Sequence, residues 1–82
     1  MELFSLLLLV TLVKDPPAAP VNVNTATIEQ LQTLPGVGPS TAKSIVRHRE
    51  KNGPFRRVDD LLILKGMSRQ RLQKLRPYVK VK

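Results

Sequence analysis

Apolar residues recur at helical spacing in blocks separated by turn residues. In the first block Ile28, Leu31 and Leu34 fall on one face, behind Thr27 and Gln30 in a capping-box spacing, and Pro35-Gly36 ends the helix. A second helix is predicted from Pro39 with Gly38 at its cap, because a ring that fixes φ and lacks a donor suits the first helical position. Ala42, Ile45, Val46 and the stem of Arg49 line its buried face, Lys43, Arg47 and Lys51 point elsewhere, and Asn52-Gly53-Pro54 stops it. Phe55 is expected to be a buried anchor in the connection. A third helix is expected over 58–65, with Asp59 and Asp60 in its first turn complementing the dipole. A fourth is expected over 69–76, with Leu72 and Leu75 inward and Pro77 ending it. Tyr78 and Val79 then close over the core, and the basic tail 80–82 is expected to fray.

The N-terminal part follows no such period. Residues 3–13 form an uncharged run of eleven, about half the roughly 20 residues that a spanning helix needs. The run resembles the apolar part of a secretory signal, so export is expected, whether by cleavage or as an anchor. No Lys or Arg precedes it, only Glu2 and the amino terminus, Lys14 lies on the opposite flank, and Pro17 and Pro20 around Ala18-Ala19 disfavour cleavage. The alternative, a first core helix, is disfavoured because the run is apolar on every face. Asp15 to Pro20 reads as a stiff linker and Val21 to Thr25 as a short extended lead-in. The chain thus divides into 1–20 (apolar segment and linker), 21–79 (domain) and 80–82 (basic tail).

A shift of thirty residues overlays Ile28 on Val58, Glu29 on Asp59, Leu31 on Leu61, Leu34 on Leu64, Gly36 on Gly66 and Ile45 on Leu75. Two helix-turn-helix units of this kind bury their apolar stripes against each other, and a pseudo-twofold pair with both turns on one side is expected. With no Trp, one Tyr and two Phe, the composition favours an all-α domain.

Charge sharpens this picture once it is divided along the chain. Residues 21–82 carry thirteen Lys and Arg against Glu29, Glu50, Asp59 and Asp60, net +9, whereas residues 1–20 carry Lys14 against Glu2 and Asp15, net −1. So dense a positive field favours polyanions. The absence of cysteine excludes disulfides, thiolate metal sites and thiol redox chemistry. Enzymatic chemistry finds no foothold either. His48 is the one histidine and is expected to be exposed and inert, while the adjacent Asp59 and Asp60 point in different directions on a helix.

The candidate chemistry lies in residues 34–41, Leu-Pro-Gly-Val-Gly-Pro-Ser-Thr. Its two glycines allow a sharp bend and a close approach of backbone to ligand, and the free amides of the following helix make an anion site. A weaker copy follows at 64–71. A protein-interaction or scaffold module with a generic basic surface is the alternative reading.

The stretch Leu34-Pro-Gly-Val-Gly-Pro, with Ala42 following, resembles the first hairpin of a helix-hairpin-helix domain, and Leu64-Lys-Gly-Met-Ser resembles its partner. The flanking Val21-Asn-Val-Asn-Thr-Ala-Thr, the connector Arg49-Glu-Lys-Asn-Gly-Pro-Phe55 and Val58-Asp-Asp-Leu-Leu62 are similar to the ComEA-like proteins, the bacterial competence DNA receptors. The resemblance implies a tandem helix-hairpin-helix domain, a SAM-like arrangement of four to five helices. It also implies binding of double-stranded DNA without sequence preference, from the minor-groove side. The protein would be exported, periplasmic or attached to the outer side of the cytoplasmic membrane, rather than cytoplasmic, and would touch the membrane only through its N-terminal segment. It would serve DNA uptake in natural transformation, handing DNA to an uptake channel or pilus machinery. No cofactor is implied, beyond a monovalent cation that hairpins of this kind can hold. Carried over residue by residue, the backbone amides of Gly36, Val37, Gly38, Ser40 and Thr41 would hold one phosphate with Lys43 nearby. Gly66, Met67 and Ser68 would hold a second, with Arg69 and Arg71 adding charge. Two departures stand out. Ser68 replaces the second glycine, either hindering a positive φ or using its hydroxyl as a cap, and Arg57 occupies a cap position where serine is usual.

Overall fold

The computed structural model describes residues 15–82. The apolar run 3–13, expected to direct export, lies outside the described residues. A strand β1 (Val21–Asn22) leads into helix α1 (Ile28–Leu31), then α2 (Pro39–Asn52), a 3-10 helix (Val58–Ile63), α3 (Arg69–Leu75), a 3-10 turn (Arg76–Tyr78) and strand β2 (Val79–Lys80). The architecture is the expected helical one, with one addition: β1 and β2 pair in parallel, Val21 opposite Val79 and Asn22 opposite Lys80. The basic tail is therefore tied to the lead-in through Lys80 and Val81. Lys80 O also accepts from Val23 N at 3.0 Å, and Val81 O from Asn24 Nδ2 at 2.8 Å.

The first helix is shorter than its apolar pattern predicts. Thr27 and Gln30 form the capping box, Gln30 N donating to Thr27 Oγ1 (3.1 Å) and Thr27 N to Gln30 Oε1 (2.9 Å). After one turn the chain tightens, Leu34 N bonding Leu31 O, so Leu34 reaches the core from the turn rather than from the helix. In the second unit the expected helix over 58–65 is 3-10 throughout and stops at Ile63. The carboxylate of Asp60 accepts from the amides of Arg56 (3.2 Å) and Arg57 (3.1 Å) and lies 3.7 Å from the Arg57 guanidinium. The cation at the cap position is thereby offset by a local anion. The fourth helix ends one residue early, at Leu75, and Pro77 lies within the 3-10 turn that follows.

The core gathers the repeat-related pairs. Leu31 and Leu61, Leu34 and Leu64, Ala42 and Leu72, and Ile45 and Leu75 are all buried, each pair thirty residues apart. Val23, Ala26, Val37, Phe55 and Val79 complete it, and Ile28, Val58, Met67 and Tyr78 pack at its edge.

Two polar side chains fasten the periphery to this core. The Asn24 amide donates to Phe55 O (2.9 Å) and Val81 O, and its oxygen accepts from Phe55 N (2.7 Å), so one residue ties lead-in, connector and tail. Arg49 Nη1 donates to Val23 O (3.0 Å) and Ala26 O (2.7 Å). Arg49 is partly buried, and its head satisfies carbonyls that the lead-in leaves unpaired.

Candidate nucleic-acid interface

The turns following Leu34 and Leu64 share a backbone pattern. In each a single glycine has positive φ, Gly36 at 75° and Gly66 at 88°, a region that L side chains rarely adopt. Three residues after each leucine the chain has bent enough for an inward bond: Val37 N donates to Leu34 O at 3.1 Å, and Met67 N donates to Leu64 O at 3.1 Å. This corrects two expectations. The Val37 and Met67 amides, expected to face a phosphate, are turned into their own hairpins, and the Val37 side chain is buried beneath the turn.

The next position separates the two hairpins. Gly38 is the N-cap of α2, at φ −100° and ψ −171°, with no side-chain cap hydrogen bond. Ser68 is the N-cap of α3, at φ −121° and ψ 165°, and its hydroxyl accepts from Arg71 N at 3.2 Å. Both residues are extended, so the second glycine of the pair is not needed to make the turn. A Cβ built on Gly38 meets nothing within 4 Å. What glycine does at 38 is leave the amides of Ser40 and Thr41, the second and third residues of a 14-residue helix, without a side-chain acceptor. Those amides lie at the positive end of the α2 dipole, and exposed Lys43 follows one turn after Pro39. In the second hairpin the serine hydroxyl already takes the third amide, and α3 has only 7 residues to build a dipole. Exposed Arg69 at its first position supplies side-chain charge instead.

Arg71 is placed differently from the expectation. Its Nη2 donates to Gly36 O at 2.6 Å and its Nη1 to Gly66 O at 2.8 Å. One partly buried guanidinium thus joins the two hairpin turns, whose carbonyl oxygens lie no more than about 8 Å apart given the size of the group. The signal for this was visible only as a break in the repeat, since the thirty-residue shift sets Arg71 against Thr41.

The residues considered for catalysis are accounted for elsewhere. His48 is partly buried rather than exposed and stacks on Phe55, with ring centroids 4.6 Å apart and planes at 16°. Asp59 pairs with Arg76, and Asp60 holds the amides at the start of the 3-10 helix. These contacts are structural in kind.

Comparison with known proteins shows the family to which this chain belongs. A family model described as the helix-hairpin-helix motif matches residues 17–80. ComE operon protein 1 of Bacillus subtilis (strain 168) is 42% identical over 62 residues, covering 76% of this chain and 30% of that protein. Endonuclease/exonuclease/phosphatase family domain-containing protein 1 of Homo sapiens is 45% identical over 56 residues, covering 68% of this chain and 10% of its own length. An uncharacterized protein of Haemophilus influenzae is 40% identical over 57 residues, 68% of this chain and 51% of that protein. The chain therefore spans less than a third of the Bacillus relative and a small part of the human one, in which the same unit is joined to much more protein.

Proposed function

The chain belongs to the helix-hairpin-helix family, as a tandem domain of the ComEA-like kind, and on that premise we propose that it binds double-stranded DNA without sequence preference. The observation that carries this reading is the uncapped N-terminus of α2 behind the Gly36 turn, in a stretch of net charge +9 from thirteen basic and four acidic residues. The first hairpin holds a phosphate through the amides of Gly38, Ser40 and Thr41, with Lys43 adding charge. The second holds the opposite strand with the backbone of Gly66 and Ser68 and the Arg69 side chain. Backbone amides read phosphate and not base identity, so affinity is set by charge and spacing.

The biological setting we propose is DNA uptake in natural transformation. The apolar run 3–13 directs export, cleaved or retained as an anchor, and the domain presents captured DNA to an uptake channel or pilus machinery. The human relative, named for an endonuclease/exonuclease/phosphatase domain, matches only through this unit, so its name lends no catalytic role to the chain.

Binding of the purified chain to duplexes of scrambled sequence, titrated against salt, tests the core of the proposal. For four to six neutralised phosphates, log affinity falls with log salt at a slope of about −4 to −5. Equal affinities across sequences with that slope support the reading. No binding at low salt removes it and leaves a protein-interaction module. The N-terminal residue of protein recovered from cells tests the setting: an intact Met1 in a soluble cytoplasmic fraction removes the receptor role while leaving DNA binding in place.

A further inference from the structure

We infer that Arg71 is a positioning residue that fixes the separation of the two hairpins and thereby makes the domain prefer duplex over single-stranded DNA. The inference rests on the DNA-binding reading above and deepens it.

Three observations lead there. Arg71 donates through different nitrogens to the carbonyls of the two glycines that carry the turns, Gly36 and Gly66. Those bonds run 35 and 5 residues along the chain, so the first is a tertiary link between the two repeats and the second a local one. The α3 amide of Arg71 is held in turn by Ser68 Oγ, which orients the root of the side chain. The residue is therefore gripped at its backbone and at both ends of its fork. Arginine suits the task because its two terminal nitrogens are held in one rigid plane, whereas lysine offers one nitrogen on a flexible stem.

The consequence for the ligand follows from bivalency. Two phosphate clamps on one rigid body bind strongly when the ligand presents phosphates at the matching separation, and the gain disappears when the spacing is loose. A duplex has a fixed cross-strand phosphate separation and rewards that match. A single strand adapts its backbone to whatever spacing it meets and gains little from it. Arg71 therefore contributes to discrimination between the two forms, although its own charge is engaged by carbonyl oxygens.

The test measures affinity of the full chain for a 20-base-pair duplex and for one of its strands at a single salt concentration, using fluorescence anisotropy. R71K and R71Q are each expected to weaken duplex binding roughly tenfold while changing single-strand binding by less than about twofold. R69Q, which removes an exposed charge from the same helical turn, is expected to weaken both forms by one common factor. A duplex preference in R71K equal to wild type overturns the inference, because a charge that simply meets phosphate survives replacement by lysine. Equal losses on both DNA forms overturn it as well. A second measurement needs no variant: scalar couplings across the hydrogen bonds from Arg71 Nη to the carbonyl carbons of Gly36 and Gly66 are expected in the free protein, and their absence overturns the link. If wild type fails to bind duplex, the DNA-binding reading falls and takes this one with it. If wild type binds and R71K is indistinguishable from it, only this inference falls.

Discussion

The two hairpins share a backbone and differ in what their amides are doing. Gly36 and Gly66 have nearly the same φ, and the bonds from Val37 to Leu34 and from Met67 to Leu64 have the same length. Yet the first hairpin opens a 14-residue helix with no side-chain cap, and the second opens a 7-residue helix whose serine caps it. The comparison separates two jobs that the Gly-Val-Gly pattern runs together. The first glycine makes the turn, and the second leaves donors open. A sequence that keeps the first and replaces the second keeps the turn and occupies one of the helix's open amides.

The largest effects test whether the two repeats are equivalent as structure. Leu31 and Leu61 are both essentially inaccessible to solvent and occupy the same register. Leu31→Ala and Leu61→Ala should each cost about 3 kcal/mol, in the range for buried leucine truncation. Urea denaturation of both variants checks this, and a difference above ~1.5 kcal/mol would show that one repeat supports the other. In a domain this small, either loss consumes much of the total stability.

Next come the turn glycines. Gly36→Val and Gly66→Val force a β-branched residue to positive φ, at a cost of about 1–2 kcal/mol each. Their stabilities should match while their affinities do not: Gly36→Val is expected to weaken duplex binding roughly tenfold, because it displaces the open amides of α2. Gly66→Val should weaken it less, and Lys80→Ala, at an exposed position, by less than about twofold. Three equal losses, measured by anisotropy at one salt concentration, would reduce the interface to diffuse charge.

This separation explains what was readable in the chain beforehand. Burial of Leu31, Leu34, Ala42, Ile45, Leu61, Leu64, Leu72 and Leu75 follows from periodicity, and the start of α2 at Pro39 from local chemistry, so both were legible. The 3-10 character of Val58–Ile63 was not, since apolar spacing of three serves either helix type. Nor was the pairing of the tail with β1, a two-residue contact between chain ends that no local pattern announces. At the site, the turns were legible because glycine requirements are local. The reach of Arg71 to Gly36 depends on where the second hairpin lies relative to the first. A thirty-residue repeat signals two similar units, but it carries no measure of the distance between them. The Asn24 and Arg49 contacts were hidden for the same reason, both being side-chain bonds to distant backbone.

The smallest effects give the sharpest form of the comparison, because a serine at the first hairpin's cap should move stability and affinity in opposite directions. Gly38 is already extended and has room for a Cβ, so Gly38→Ser introduces no strain. Its hydroxyl is expected to accept from Thr41 N, as that of Ser68 accepts from Arg71 N, raising stability by a few tenths of a kcal/mol. The same bond withdraws a donor from the phosphate, and duplex affinity should fall roughly threefold. Ser68→Ala should cost about 1 kcal/mol of stability through loss of the cap, with affinity nearly unchanged. Thermal melts and anisotropy on the same two preparations read both quantities. If Gly38→Ser gained stability and kept full affinity, the open amides of α2 would not be where the phosphate sits, and the weight of the interface would have to move to the side chains of the second hairpin.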